Sequence, residues 1–185
     1  MSELIVSCFG DKYRASQVIH DLRRMNPTFV ADLDNAVALL WDEEGNMRVQ
    51  QSIDPTSATG AAWSSLWGAF ISVAFLVPYT EGMPAAASAL VMSASSPASS
   101  KAAVETLRLS PTWWIDEFHI PDDYLRDVGA MVQPGGSAVI VAAMANKPQV
   151  LIKQLRQQGG TVMHLALTDD QVKQLHIALT ALSAP

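Results

Sequence analysis

The chain has 185 residues, 12 basic and 18 acidic side chains and a net charge of −6 at pH 7. No basic stripe is present, so nucleic-acid binding is not expected, and nothing pulls the chain electrostatically to an anionic membrane surface. The lone cysteine, Cys8, excludes an internal disulfide framework and a cysteine-based zinc site.

A length of 185 residues suits one domain, or one domain carrying a large insertion. The first residues lack a basic segment followed by an apolar one, so no secretory signal is expected. The expected location is the cytoplasm or the cytoplasmic face of the inner membrane.

In chain order, Glu3 to Phe9 (ELIVSCF) is a short apolar run ending at Gly10 and reads as a buried strand, with Cys8 a small hydrophobe inside it. Asp11 is placed to cap a helix reaching Met25. Ala15, Val18, Ile19, Leu22 and Met25 repeat at helical spacing on its inner face, and His20 sits near that face as a structural histidine. Ala36 to Trp41 reads as a second strand. The sequence Asp42-Glu43-Glu44-Gly45-Asn46 is a turn. Met47 to Ile53 alternates inward Met47, Val49, Gln51 and Ile53 with outward polar residues, and so predicts a half-exposed strand paired to the second.

The stretch from Pro55 to Ser100 holds one charged residue, Glu81. Gly60 to Val77 reads as a helix with small residues every fourth position: Gly60, Ser64, Gly68 and Ser72. Such a stripe lets another backbone approach closely, which is how helices associate in lipid. Pro78 ends it. Pro84 opens a second helix, with Ala85, Ala89 and Ser93 repeating the pattern. Together these predict a helical hairpin, either resting on or inserted in a membrane or packed between subunits.

Lys101 to Leu109 and Trp113 to Phe118 are short helical or amphipathic pieces. Pro121-Asp122-Asp123 opens a helix that runs to Val132 and stops at Pro134-Gly135-Gly136. Ser137 to Met144 is another buried strand. Pro148 to Gln158 is an amphipathic helix with Val150, Leu151 and Leu155 inward, closed by Gly159-Gly160. Thr161 to Leu167 is the fifth strand. Thr168-Asp169-Asp170-Gln171 resembles a capping box for the last helix, which carries Val172, Leu175, Leu179 and Leu182.

The order is therefore βαββ, insertion, α, βαβα. The unit SELIVSCF–GDKYRASQVIHDLRRM and the later SAVIVAAM–ANKPQVLIKQLRQQ share one pattern. This predicts an α+β, ferredoxin-like sandwich with helices on one face of a mainly antiparallel sheet. Residues 1–54 and 113–185 form its two halves, and 55–112 the uncharged helical-hairpin insertion.

FVADLDNAVALLWDEEGNMRVQQSID, the small-residue apolar insertion, PGGSAVIV and GGTVMHLALTDDQVKQL together resemble the bacterial domain of unknown function 1269 family of predicted membrane proteins. The resemblance covers most of the chain outside roughly 78–120. It implies the same fold and membrane association, and it carries no activity and no functional residues. The insertion departs from the family pattern through Pro78, Glu81, many serines and the added Trp113-Trp114 segment.

The chain has neither GxGxxG nor GxxxxGK[ST], and no GxSxG. The histidines His20, His119, His164 and His176 have no HExxH or HxH spacing. His164 on the last strand could meet His176 on the last helix, without a carboxylate to anchor a metal. Asp32 and Asp34 lack the rest of a calcium loop. Trp113, Trp114, Asp116 and His119, followed by Asp122 and Asp123, form the densest titratable and aromatic cluster. They are the residues for general acid–base or ligand chemistry, although capping aspartates in an exposed turn explain the same pattern. No cofactor is implied. The expected function is a non-enzymatic module that associates with itself or contacts a membrane through the hairpin stripe. The alternative is a soluble homo-oligomeric ligand binder or enzyme using Trp113–Asp123.

Overall fold

The computed structural model describes residues 2–25, 29–44, 46–52, 57–71, 74–75, 120–144 and 148–183. The chain divides into two compact units: Met1–Ile53 with Met131–Val172, and Asp54–Ala130 with Lys173–Pro185.

The first unit is built on β1 (Ser2–Phe9), β2 (Val37–Trp41), β3 (Met47–Gln51), β4 (Ser137–Ala143) and β5 (Thr161–Leu167). They form a five-stranded sheet in the order β3-β2-β4-β1-β5, and every neighbouring pair is antiparallel. The three inner strands are the continuous apolar runs, and all of β2 and β4 is buried. A strand buried on both faces takes apolar side chains on both, which is why these segments do not alternate; the buried polar exceptions are Glu3, Ser7 and Ser137. The two outer strands do vary in exposure. Along β3, half-buried Met47, Val49 and Gln51 alternate with exposed Arg48 and Gln50, as the period of two predicts.

Helix α1 (Arg14–Met25) and the one-turn α2 (Val30–Leu33) join β1 to β2. Ala15, Val18, Ile19 and Leu22 of α1 are buried. With Leu33, Ile5, Phe9, Ala38, Leu40, Val139 and Val141 they build one apolar cluster. Helix α5 (Pro148–Gln157) joins β4 to β5 and adds Leu151, Ile152 and Leu155 to that cluster. Leu4, Val6, Cys8, Leu39 and Ile140, on the opposite side of the strands, are buried as well.

Three inward expectations are corrected. Met25 is 62% exposed and Val150 is 43% exposed, and His20 is exposed. Positions 148, 151, 152 and 155 make the buried stripe of α5, and Val150, about 160° from both Pro148 and Ile152, lies on the side of the helix away from it. His20 lies about 100° from Ile19, off the buried stripe of α1. Met25 is in phase with the α1 stripe, but it ends the helix, and its sulfur instead accepts from Gln158 Nε2 at 4.0 Å. Periodicity sets a direction and says nothing about where the covering layer stops.

Local signals placed the turns. Asp11 Oδ1 accepts from the Tyr13 N–H at 2.8 Å before α1. Asp42 Oδ1 accepts from the Glu44 and Asn46 N–H groups at 3.0 and 2.8 Å, and Gly45 lies outside the described residues. Gly135 and Gly159 take φ of +84° and +87°, a region that side chains with a Cβ avoid. The capping box is formed: Thr168 N–H donates to Gln171 Oε1 at 2.7 Å, and Gln171 N–H to Thr168 Oγ1 at 3.2 Å. It opens α6 (Asp169–Ser183), where Leu175 and Leu179 are buried.

In the second unit α3 (Ala58–Ile71) carries no charged residue. Ser57 caps it, its hydroxyl accepting from the Gly60 N–H at 3.0 Å. Trp63 and Trp67 stack with centroids 5.4 Å apart, and Phe70 meets Trp67 edge-on at 6.3 Å. Helix α4 (Asp122–Met131) begins with the two expected aspartates, and Asp123 pairs with Arg126 one turn on. Gly129 approaches Ala74 so closely that a Cβ there would lie 2.0 Å from the Ala74 carbonyl oxygen. The second hairpin helix, with Ala85 and Ala89, and the pieces 101–109 and 113–118 lie outside the described residues.

Candidate functional sites

Both β1 and β2 run antiparallel to β4, so they run in the same direction and release their following loops at one end of the sheet. Gln133–Gly136 enters β4 between them. Gly135 N–H donates to Trp41 O at 2.9 Å and Trp41 N–H to Gly136 O at 3.0 Å. The Ser137 hydroxyl joins this end to α1: it donates to Asp11 O at 2.6 Å and accepts from the Ala15 N–H at 3.1 Å.

These loops enclose an open groove of about 540 Å³, lined by Gly10, Asp11, Lys12, Tyr13, Asp42, Glu43, Glu44 and Gly135. A smaller groove of about 250 Å³ shares Lys12, Tyr13 and Asp42 and reaches Arg48 and Gln50. Lys12 Nζ sits 5.0 Å from the Tyr13 ring centroid. The Asn46 backbone N–H, followed by its side-chain amide, holds the Asp42 carboxyl below the ordinary range. Asp11 and Asp42 brace their own turns here. No sequence motif marks this groove, because its halves come from residues 10–13 and 42–44, which only the strand order brings to one end.

A second polar cluster lies beside the outer strand. Glu3 is 7% exposed. Its Oε1 accepts from Gln149 Nε2 of α5 at 2.8 Å. Its Oε2 lies 2.8 Å from His164 Nδ1 of β5, an approach by distance without the direction of a well-aimed hydrogen bond. His164 therefore meets a carboxylate from β1, a partner that spacing alone did not reveal. Ile5 is directly opposite His164 in register, so His164 shares the face covered by α1 and α5.

Among the described residues no group of three or more His, Cys, Asp and Glu side chains is arranged to hold a metal ion. Burial pushes the Cys8 thiol up to about 12, which leaves it a poor nucleophile at neutral pH. Asp32 accepts from the Met144 N–H at 3.1 Å, and Asp34 pairs with Arg23 at 2.8 Å. Both aspartates therefore make bonds within the fold.

Of the expected stripe, Gly60, Ser64 and Gly68 lie on α3. Gly60 is buried, Ser64 and Gly68 are half-buried, and the Ser64 hydroxyl donates back to Gly60 O at 2.8 Å. Ser72, Ala85, Ala89, Trp113, Trp114, Asp116 and His119 lie outside the described residues. Among the described residues no helix is long and apolar enough to cross a membrane.

The class of protein is thus a mixed α/β one with a five-stranded antiparallel sheet. Residues 112–180 match the family model described as Protein of unknown function (DUF1269), and over that span the chain resembles this family. The match takes in α4, β4, α5 and β5 and most of α6, and it does not extend over 29–54. No curated protein and no solved structure matches the chain.

Proposed function

We propose that this chain is a non-enzymatic module that associates with itself or rests on a membrane through its inserted segment. One observation carries the reading. Helix α3 holds no charged side chain over 14 residues. It buries Trp63, Leu66, Trp67, Phe70 and Ile71 and leaves Ser64 and Gly68 partly open. Small residues at a helix surface favour close approach of a second helix or an apolar phase.

The fold supports the same reading. Without β3 the strand order is β2-β4-β1-β5, with α1 between β1 and β2 and α5 between β4 and β5. That arrangement fits a ferredoxin-like sandwich, a scaffold on which function lies in what is attached.

The test is fractionation of native membranes together with the particle mass of the purified chain. Recovery in the membrane fraction, or a mass above one chain that falls when Gly68 is replaced by Leu, is expected. A soluble monomer whose behaviour Gly68→Leu leaves unchanged removes the proposal.

A further inference from the structure

The two outer strands of the sheet are protected unequally. On β3, Arg48 puts a charge on the outermost strand, and Gln50 accepts from the Ser16 hydroxyl at 2.7 Å. Charged side chains on an outer strand discourage pairing with another chain. On the opposite side β5 (TVMHLAL) has seven residues with no Lys, Arg, Asp, Glu or Pro. Its pairing with β1 is unbroken from Ser2↔Leu167 to Cys8↔Thr161, so no bulge turns it away. His164, its one titratable residue, stands on the sheet face beside Glu3 rather than along the hydrogen-bonding rim. Beyond the ladder to β1, no residue of Thr161–Leu167 hydrogen-bonds to another described residue. Thr161, His164 and Ala166 are exposed.

An outer strand offers alternate N–H and C=O groups that only another extended backbone can match in full. We propose that β5 pairs antiparallel with β5 of a second copy of this chain, joining two five-stranded sheets into one. A second copy fits for two reasons. An antiparallel strand set against itself about a two-fold axis is complementary by symmetry, each donor meeting the same acceptor on the other side. And because the strand holds no Lys, Arg, Asp or Glu, its copy sets none of these charges against its own. Arg48 denies this to β3. This surface is separate from α3 and does not depend on the function proposed above.

The experiment is sedimentation equilibrium of the full chain with hydrogen exchange read by segment at low and high protein concentration. The mass is expected to rise toward twice the 19.9 kDa of one chain, with concentration-dependent protection confined to 161–167. Thr161→Lys with Ala166→Lys adds charge at two exposed positions and is expected to raise the dissociation constant about tenfold or more. Circular dichroism verifies that this variant keeps its fold. Should the lysine pair lower the helix and strand signal, Thr161→Lys alone serves the same reading. A monomer at every concentration overturns the proposal, as does a dimer whose protection falls in 58–71 rather than 161–167. An association constant unmoved by the lysines in a folded variant also overturns it.

Discussion

The Asn35 side chain makes two hydrogen bonds to one backbone residue: its Nδ2 donates to Ala142 O at 2.9 Å, and the Ala142 N–H donates to its Oδ1 at 3.0 Å. The register Val37↔Ile140, continued backward, places Asn35 opposite Ala142, two residues before the start of β2. An amide carries one donor and one acceptor in the geometry of a peptide, so the side chain continues the ladder where the backbone has turned away.

Replacing Asn35 by Leu removes both bonds and leaves a buried N–H and C=O unmatched. The expected loss is about 2–4 kcal/mol, from two orphaned groups at one to three each, partly relieved by relaxation. Urea unfolding measures it. A loss below about 0.5 kcal/mol contradicts the pairing.

Ser7 and Gly160 are coupled. Ser7 is fully buried and its hydroxyl has no hydrogen-bond partner among the described residues. A Cβ at Gly160 would lie 2.1 Å from that oxygen and 3.0 Å from both Leu155 O and Phe9 Cε1. Ser7→Ala is expected to be neutral or stabilising by up to about 1 kcal/mol, because it removes an unmatched polar atom. Gly160→Ala is expected to cost about 1–3 kcal/mol, and less in the Ser7→Ala background. Thermal melts of the two single variants and the double variant measure the coupling. Strict additivity rules it out.

Gly159, one residue earlier, is the control. A Cβ there meets nothing within 4 Å, and its φ is +87°. Gly159→Ala is therefore a purely conformational cost of about 1–2 kcal/mol, and it is expected to be unaffected by Ser7→Ala.

Cys8 links stability to alkaline pH. Burial raises its thiol from 9.0 to about 12. Between those values the unfolded chain has lost the proton and the folded chain keeps it. The stabilising contribution is thus fully present below pH 9 and is lost as pH rises toward 12. The expected slope is about −1.4 kcal/mol per pH unit in that window. Cys8→Ala flattens this component, as urea midpoints measured from pH 8 to 10.5 would reveal. At pH 8 the native thiolate fraction is about one in ten thousand, so alkylation is expected to be far slower than in denaturant.

Gly129→Ala tests the close crossing in the second unit. Its Cβ would collide with the Ala74 carbonyl oxygen at 2.0 Å and the carbonyl carbon at 3.2 Å. Backbone does not swing aside as a side chain does, so a cost of about 1–3 kcal/mol is expected. The near-ultraviolet signal of the stacked Trp63 and Trp67 gives a local readout of unfolding. An unchanged melt shows that the segments separate at no cost.

Much of the framework follows from local chemistry. The mainly apolar, non-alternating runs ELIVSCF, VALLW and SAVIVAA became the three inner strands, because a strand covered on both faces buries side chains at odd and even positions alike. Gly159 and the Thr168–Gln171 box act within a few residues of themselves, and they stand where the residue types placed them. Covering residues is a different matter. Met25 carries the right side chain at nearly the right angle and still meets water, while the acidic Glu3 is enclosed by Gln149 and His164 from elements more than 140 residues away.

The candidate site divides in the same way. The uncharged composition and the small-residue spacing of α3 were legible, because both are properties of one segment. The groove between Gly10–Tyr13 and Asp42–Glu44 and the Glu3–His164 approach were not, because strand order created them. Residue type and spacing determine which conformation a segment prefers and which side of it avoids water. Which segments become neighbours, and which strand is left at the rim as β5 is, depends on long-range pairing whose hydrogen bonds are the same for any sequence. Only the folded chain selects among those pairings.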